Sequence, residues 1–130
     1  MRTLSLLLSC SFLLVAACSK DSPPAAQQEE PVRTSPAAEE ARQLFNTVCA
    51  TCHGTDGTGN GAAAANLNPK PRNYTDKAWQ AATTDDQIRN IILLGGAGVG
   101  KSALMPAQTQ LKDKPLVVEE LVHLVRSFGK

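Results

Sequence analysis

Apolar positions recur at helical spacing in three separate parts of the chain. The first part begins at Ser35 and Pro36, a typical N-cap followed by proline at the first helical position. Its apolar stripe follows the spacing i, i+3, i+4 and i+7 and consists of Ala41, Leu44, Phe45 and Val48. We expect this helix to deliver Cys49 and Cys52 to the core side of the domain.

The second and third helices have equally clear ends. The second starts at Thr84, whose Thr-Asp-Asp-Gln sequence is a capping-box pattern, and stops at Gly95 and Gly96. The third spans about 115 to 128 and stops at Gly129. The apolar face of the second helix consists of Ile88, Ile91 and Ile92. That of the third consists of Val117, Leu121, Leu124, Val125 and Phe128. The pattern predicts an all-α domain of three main helices, with a short helix around 76 to 82.

The loops between these helices are long for so small a domain. They include the glycine-rich run after residue 53, an irregular stretch with two prolines, and residues 95 to 112, which have no strong period. Loops of this length in a compact domain favour wrapping around a ligand. Aromatic residues make up only 4% of the chain. A buried planar cofactor would supply the apolar bulk that such a small core lacks.

The N-terminus predicts export. Arg2 and the apolar run from Leu4 to Ala17 form a signal-peptide pattern, and the run is too short to span a membrane. Small residues precede Cys18, which predicts a lipoprotein-type signal peptide over 1–17 and lipidation of Cys18. The alternative is an ordinary secreted protein cut near Ala17.

Composition then divides the remaining chain. Residues 18–36 are rich in Pro, Gln and Glu and predict a lipidated cysteine followed by a flexible tether, which leaves 37–130 as the folded domain. A chain of 130 residues has room for only one such domain. This length excludes a multi-domain enzyme. Its net charge of +1 at pH 7 does not indicate a nucleic acid partner.

The sequence Cys49-Ala-Thr-Cys52-His53 carries the candidate chemistry. Two thiols at this spacing can form thioether bonds to the two vinyl groups of haem, and the adjacent imidazole then becomes the proximal iron ligand. A zinc site would need further Cys or His ligands, and only His123 remains in the mature domain. A thioredoxin-like pair would need a neighbouring βαβ pattern, and a plain disulfide would not explain the histidine. The motif therefore predicts one covalent haem c.

The second axial ligand follows by elimination. After removal of Met1, the only methionine is Met105, which lies with Pro106 in the irregular stretch between helices. Thioether sulfur is a common partner of a proximal histidine in electron-transfer haems. The rival ligands are His123, expected on the surface of the last helix, and Lys101.

Two further motif matches fail in their context. Residues 95–102 fit the phosphate-binding pattern G-x-x-x-x-G-K-S, but a helix rather than a strand precedes them and Pro106 interrupts any helix that follows. Asp56 opens an apparent calcium loop whose twelfth position is Leu67 instead of glutamate. Neither a nucleotide nor calcium is expected to bind.

With these motifs, the chain from about residue 37 to 128 resembles the class I c-type cytochromes. The resemblance rests on Phe45 before CATCHG, on DGTGNG, KPRNY and the Ile-rich helix, on LMP at 104–106, and on the final VRSF. It implies a small cytochrome c fold in which the first and last helices cross near Phe45. Leu124 departs from the pattern, because such cytochromes often place an aromatic residue there.

The resemblance also implies roles for residues in the KPRNY region. A proline carbonyl, from Pro69 or Pro71, would accept the Nδ1 proton of His53. Arg72, Tyr74 and Trp79 look like candidates for contacts to the haem propionates. Their alternative roles are surface charge for Arg72 and core packing for Trp79.

With two thioether bonds to the haem and His53 and Met105 as the two axial iron ligands, no coordination position stays open, so we expect a one-electron carrier without enzymatic activity. The alternatives are a fixed haem subunit of a respiratory complex, or a haem-based sensor or peroxidase in which Met105 is displaced. Expected partners are redox proteins, donor and acceptor unidentified, with membrane contact through the lipid anchor alone. Because Ser19 replaces the Asp of an inner-membrane retention signal, the periplasmic face of the outer membrane is favoured.

Overall fold

The computed structural model describes residues 35–130. The predicted signal peptide, the predicted lipidation site at Cys18 and most of the predicted tether lie outside the described residues. The described chain is helical and contains no strand. Its α-helices are α1 (Pro36–Leu44), α2 (Ala50–His53), α3 (Lys77–Ala82), α4 (Asp85–Gly98) and α5 (Pro115–Ser127). A π-helical turn, Phe45–Cys49, joins α1 to α2, and short 3₁₀ helices span Ala62–Asn66 and Thr109–Leu111. The all-α prediction is confirmed.

The predicted helix starts are confirmed by their caps. The Ser35 hydroxyl accepts a hydrogen bond from the Ala38 amide, and Pro36 occupies the first turn of α1. At α4, Thr84 and Gln87 form the reciprocal capping box. These local hydrogen bonds satisfy amide groups that a helix start leaves without partners, which is why the sequence locates them well.

The π-helical turn changes which residues of the first helix face inward. A π turn accommodates one extra residue, so the inward face passes from Phe45 to Ala50 and His53. Val48 is turned outward and is 42% exposed. Val48 therefore does not share the inner face with Phe45, as an uninterrupted α-helical period would predict.

The first and last helices pack against each other, as the resemblance implied. The rings of Phe45 and Phe128 lie 5.3 Å apart between centroids. Val118 and Val122, which the sequence pattern missed, are buried in this core alongside Val117, Leu121 and Val125. Leu124 packs at the edge of the core, so the aromatic contact between the helices is made by Phe128 instead.

Gln80 of α3 joins the middle of the chain to α5. Its Nε2 donates to the carbonyl oxygens of Tyr74 at 2.7 Å and Val125 at 2.9 Å. Arg126 in turn donates to the Gln80 carbonyl at 2.8 Å and to its side-chain oxygen at 2.9 Å. One amide side chain thus satisfies two partly buried carbonyl groups from distant parts of the sequence.

We expect Gln80→Ala to lower the free energy of unfolding by about 1–3 kcal/mol, because two carbonyl groups lose their donor. Urea denaturation of the purified protein measures this. The control is Gln110→Ala, since the Gln110 side chain is exposed and donates only to the neighbouring Gln108. Equal midpoints for the two variants would contradict the role assigned to Gln80.

Candidate haem site

The end of the first helix presents Cys49, Cys52 and His53 together. Both cysteines are free thiols and are partly buried. Burial raises the pKa of the Cys49 thiol to about 11. A thiol of this kind stays protonated at neutral pH, whereas the attacking cysteine of a thioredoxin-like pair has a lowered pKa. The environment of Cys49 is therefore unlike that of the attacking thiol in a thiol–disulfide centre.

His53 is held in the form that a metal ligand requires. The imidazole is 7% exposed, and its Nδ1 lies 3.1 Å from the carbonyl oxygen of Arg72. With the proton on Nδ1 donated to that carbonyl, Nε2 carries the lone pair. Burial lowers the pKa of His53, which favours the neutral ring.

The carbonyl at Nδ1 corrects the prediction of a proline acceptor. The acceptor belongs to Arg72, the residue after Pro71, while Pro69 lies in an exposed loop. The carbonyl of Pro71 faces Gly59 instead, where an added Cβ would lie only 2.6 Å from its oxygen. A choice between adjacent carbonyls depends on loop geometry, for which the sequence contains no signal.

The glycine-rich loop folds back beneath the end of the helix. The Gly59 amide donates to the His53 carbonyl at 2.8 Å, and the Gly61 amide donates to the Cys52 carbonyl at 3.0 Å. A Cβ at Gly61 would overlap the backbone carbonyl oxygens of Ala50 and Thr51. The Tyr74 amide then donates to the Gly57 carbonyl at 2.7 Å. Close backbone contact at the glycines thus brings the segment after Pro71 to His53.

Of the three predicted propionate contacts, the Tyr74 ring lies directly against His53, Trp79 lies next to Tyr74, and the Arg72 side chain lies near Trp79. The Tyr74 ring stacks on the imidazole with centroids 4.5 Å apart, and its Oη lies 3.1 Å from Nε2. Trp79 lies 5.5 Å from Tyr74, and the Arg72 guanidinium lies 5.8 Å from the Trp79 ring. Arg72 also pairs with Asp76 at 3.2 Å. The sequence identified these residues as neighbours of the site but missed the stacking of Tyr74 on the ligand, and contact with propionates stays a prediction.

Met105 lies on a loop that is fastened to the end of α4. Its carbonyl accepts from the Gly96 amide at 2.9 Å, and its amide donates to the Ser102 carbonyl at 3.2 Å. The Lys101 amide donates to the Gly96 carbonyl at 2.7 Å, which closes the loop on itself. Gly95 has a left-handed φ of 69°, which interrupts α4 where the sequence predicted a stop. A further helical turn to Gly98 follows, so the segment before Lys101 is helical.

The competing ligands are placed differently. His123 is exposed on α5, in agreement with a surface position, and Lys101 is also exposed. Among residues 35–130 no group of three or more His, Cys, Asp or Glu side chains could hold a metal ion. The described part of the chain therefore offers no alternative site for zinc.

Aliphatic side chains next to the candidate ligands remain accessible. Val48, Leu94 and Leu104 are 42%, 48% and 54% exposed. Val48 and Leu104 directly precede Cys49 and Met105. Exposed aliphatic groups are covered favourably by a flat apolar cofactor. The donors at the end of the first helix also fit haem c, since they combine two free thiols with a neutral imidazole of fixed tautomer.

An all-helical fold whose first helix ends in CxxCH, with the histidine oriented by a backbone carbonyl, defines a protein of the c-type haem class. The family model for cytochrome c matches residues 38–125. The chain belongs to the cytochrome c family.

One solved structure, described as the KustC0563 c-type cytochrome, is 32% identical to this chain with a TM-score of 0.51. The match covers 69% of this chain and 98% of that one. No curated protein matches. Family membership implies a covalent haem c and haem-based electron transfer. Within residues 35–130, none of the helices has the length and apolar character needed to cross a membrane.

Proposed function

We propose that the chain is a one-electron carrier in an exported bacterial electron-transfer chain. It holds one haem c through thioether bonds from Cys49 and Cys52, with His53 and Met105 as axial iron ligands. The haem supplies a reversible one-electron change at iron. The observation that carries the proposal is the His53 imidazole, which is buried, held by the Arg72 carbonyl at 3.1 Å and adjacent to two free thiols.

The side chains of the site suit electron transfer better than substrate chemistry. His53 and Met105 would fill both axial positions, so no coordination position remains for a substrate. The loop that carries Met105 is tied to α4 through the backbone of Gly96 rather than through a flexible side chain. Rigid ligands need little rearrangement when the iron changes oxidation state, and we infer that the protein has no enzymatic activity of its own.

The location is part of the same proposal and is supported by the sequence. The lipoprotein-type signal before Cys18 and the serine at position 19 favour a lipid-anchored carrier at the periplasmic face of the outer membrane. A fixed subunit of a respiratory complex would use the same haem chemistry. Co-purification from detergent-solubilised membranes separates the two, because a fixed subunit stays with its complex and a free carrier does not.

Covalent haem content tests the central proposal. We expect one haem per chain that resists extraction with acidified acetone, and none in the Cys49→Ser/Cys52→Ser double variant, because both thioether bonds are lost. Pyridine haemochrome spectra of the protein before and after extraction provide the measurement. Thr51→Ala is the matched control, since this exposed residue lies between the cysteines. Absence of covalent haem from the unmodified protein would refute the proposal.

A further inference from the structure

We propose that Tyr74 is a positioning residue whose ring fixes the plane of the His53 imidazole. The inference rests on the proposed function, in which His53 ligates the haem iron. The two rings are nearly parallel, with an angle of 11° between their planes and 4.5 Å between their centroids. This arrangement places one face of the imidazole against a flat, buried ring.

Tyr74 is itself held from several directions. It is 9% exposed, its amide donates to the Gly57 carbonyl at 2.7 Å, and its carbonyl accepts from Gln80 at 2.7 Å. Trp79 and Phe128 pack near its ring, at centroid distances of 5.5 Å and 6.2 Å. The backbone and the ring of Tyr74 are thus anchored to separate parts of the fold, so it can transmit their rigidity to His53.

The hydrogen bond at Nδ1 does not fix the imidazole plane by itself. A hydrogen bond tolerates tens of degrees of misalignment before it weakens steeply, so the imidazole can still rock about its Cβ–Cγ bond while it donates to Arg72. A ring stacked on one face restricts that rocking, because a tilt brings carbon atoms into overlap. The carbonyl fixes the tautomer and direction of the ligand, and the stacked ring fixes its plane.

The ring of Tyr74, rather than its hydroxyl, performs this role. The Tyr74 Oη lies 3.1 Å from Nε2, within hydrogen-bond distance, while the two rings are nearly parallel. When Nε2 ligates iron its lone pair is occupied and can no longer accept a hydrogen bond from this hydroxyl, so the stacking contact is what remains. A phenylalanine would therefore preserve the positioning, whereas a flexible aliphatic side chain would not.

The orientation of an axial imidazole has a spectroscopic consequence. Its π orbital interacts most strongly with the iron d orbital that shares its orientation, and this splits the d orbitals of low-spin ferric iron. The g values in electron paramagnetic resonance report that splitting. An imidazole that is no longer held in one orientation gives shifted or broadened g values even when both axial ligands stay bound.

The experiment compares ferric holoprotein of Tyr74→Phe, Tyr74→Leu and Tyr74→Met with the unmodified protein. We expect unchanged g values for Tyr74→Phe, and shifted or broadened g values for Tyr74→Leu and Tyr74→Met, whose side chains lack a planar ring. Phe45→Leu is the matched control, because it removes a buried aromatic ring of the same core that packs on Phe128 rather than on Tyr74 or His53. It should lower thermal stability without shifting the g values.

Three results would overturn the inference. They are unchanged g values in a folded leucine or methionine variant, a shift in Tyr74→Phe as large as in those variants, and an equal shift in Phe45→Leu. Failure of the proposed function has a different outcome, since a protein without covalent haem gives no low-spin ferric signal in any variant. If Tyr74→Leu does not fold, the methionine variant retains a similar side-chain length and the comparison with phenylalanine still decides.

Discussion

Replacing Met105 with alanine is expected to convert the ferric haem from a six-coordinate low-spin to a predominantly high-spin state and to open the iron to small ligands. Thioether sulfur favours reduced iron, so its loss should also lower the reduction potential by on the order of 0.1 V or more. Optical spectra of the ferric protein, with and without added cyanide, and a redox titration measure the two effects.

The control for this experiment is His123→Ala. His123 is the remaining histidine of the domain besides His53 and is exposed on α5, so its removal should leave the spectrum and the potential unchanged. The assignment of Met105 fails if Met105→Ala keeps the charge-transfer band typical of methionine sulfur bound to ferric iron. A high-spin spectrum in His123→Ala would instead identify that histidine as the ligand.

Substituting Gly96 with alanine is expected to cost at least about 3 kcal/mol of unfolding free energy and to weaken or remove methionine ligation. A Cβ at Gly96 would overlap the carbonyl oxygen of Ser102, which belongs to the backbone and cannot rotate away. Relief requires the loop to leave the end of α4, and that loop carries Met105. Urea denaturation and the ferric spectrum should therefore change together.

Gly100→Ala separates this steric effect from backbone strain. Gly100 has a left-handed φ of 71°, and a Cβ there would have no heavy atom within 4 Å. We expect a cost of about 1 kcal/mol with an unchanged spectrum, since only the conformational preference of the residue is altered. If Gly96→Ala retains methionine ligation and loses no more stability than Gly100→Ala, Gly96 does not hold the Met105 loop in place.

The parts of the site that are local in sequence could be predicted. Two thiols and an imidazole within five residues indicate covalent haem attachment, because their relative placement follows from one helical turn. The starts of α1 and α4 could be predicted for the same reason, since Ser35 and Thr84 bond to amides three residues ahead. The assignment of Met105 came from counting the available ligands, and it stays a prediction.

The register of the first helix illustrates where local patterns stop being sufficient. Apolar spacing placed Val48 with Phe45, yet a π-helical turn places Ala50 and His53 on the inner face instead. Packing against α5 determines which residues face inward before the turn, and the segment from Cys49 to His53 determines which face inward after it. Hydrophobic spacing alone cannot reveal an extra residue inserted between two such constraints.

The helical class of the fold, the haem motif and the starts of α1 and α4 could be predicted from the chain alone, because each depends on interactions within a few residues. Local patterns could not predict the longer-range contacts of the site, in which the Arg72 carbonyl orients His53, Tyr74 stacks on the imidazole, and Gly96 fastens the Met105 loop. These contacts join residues 9 to 21 positions apart in the sequence. They depend on how closely separate loops approach each other, which is a property of the assembled core rather than of any one segment.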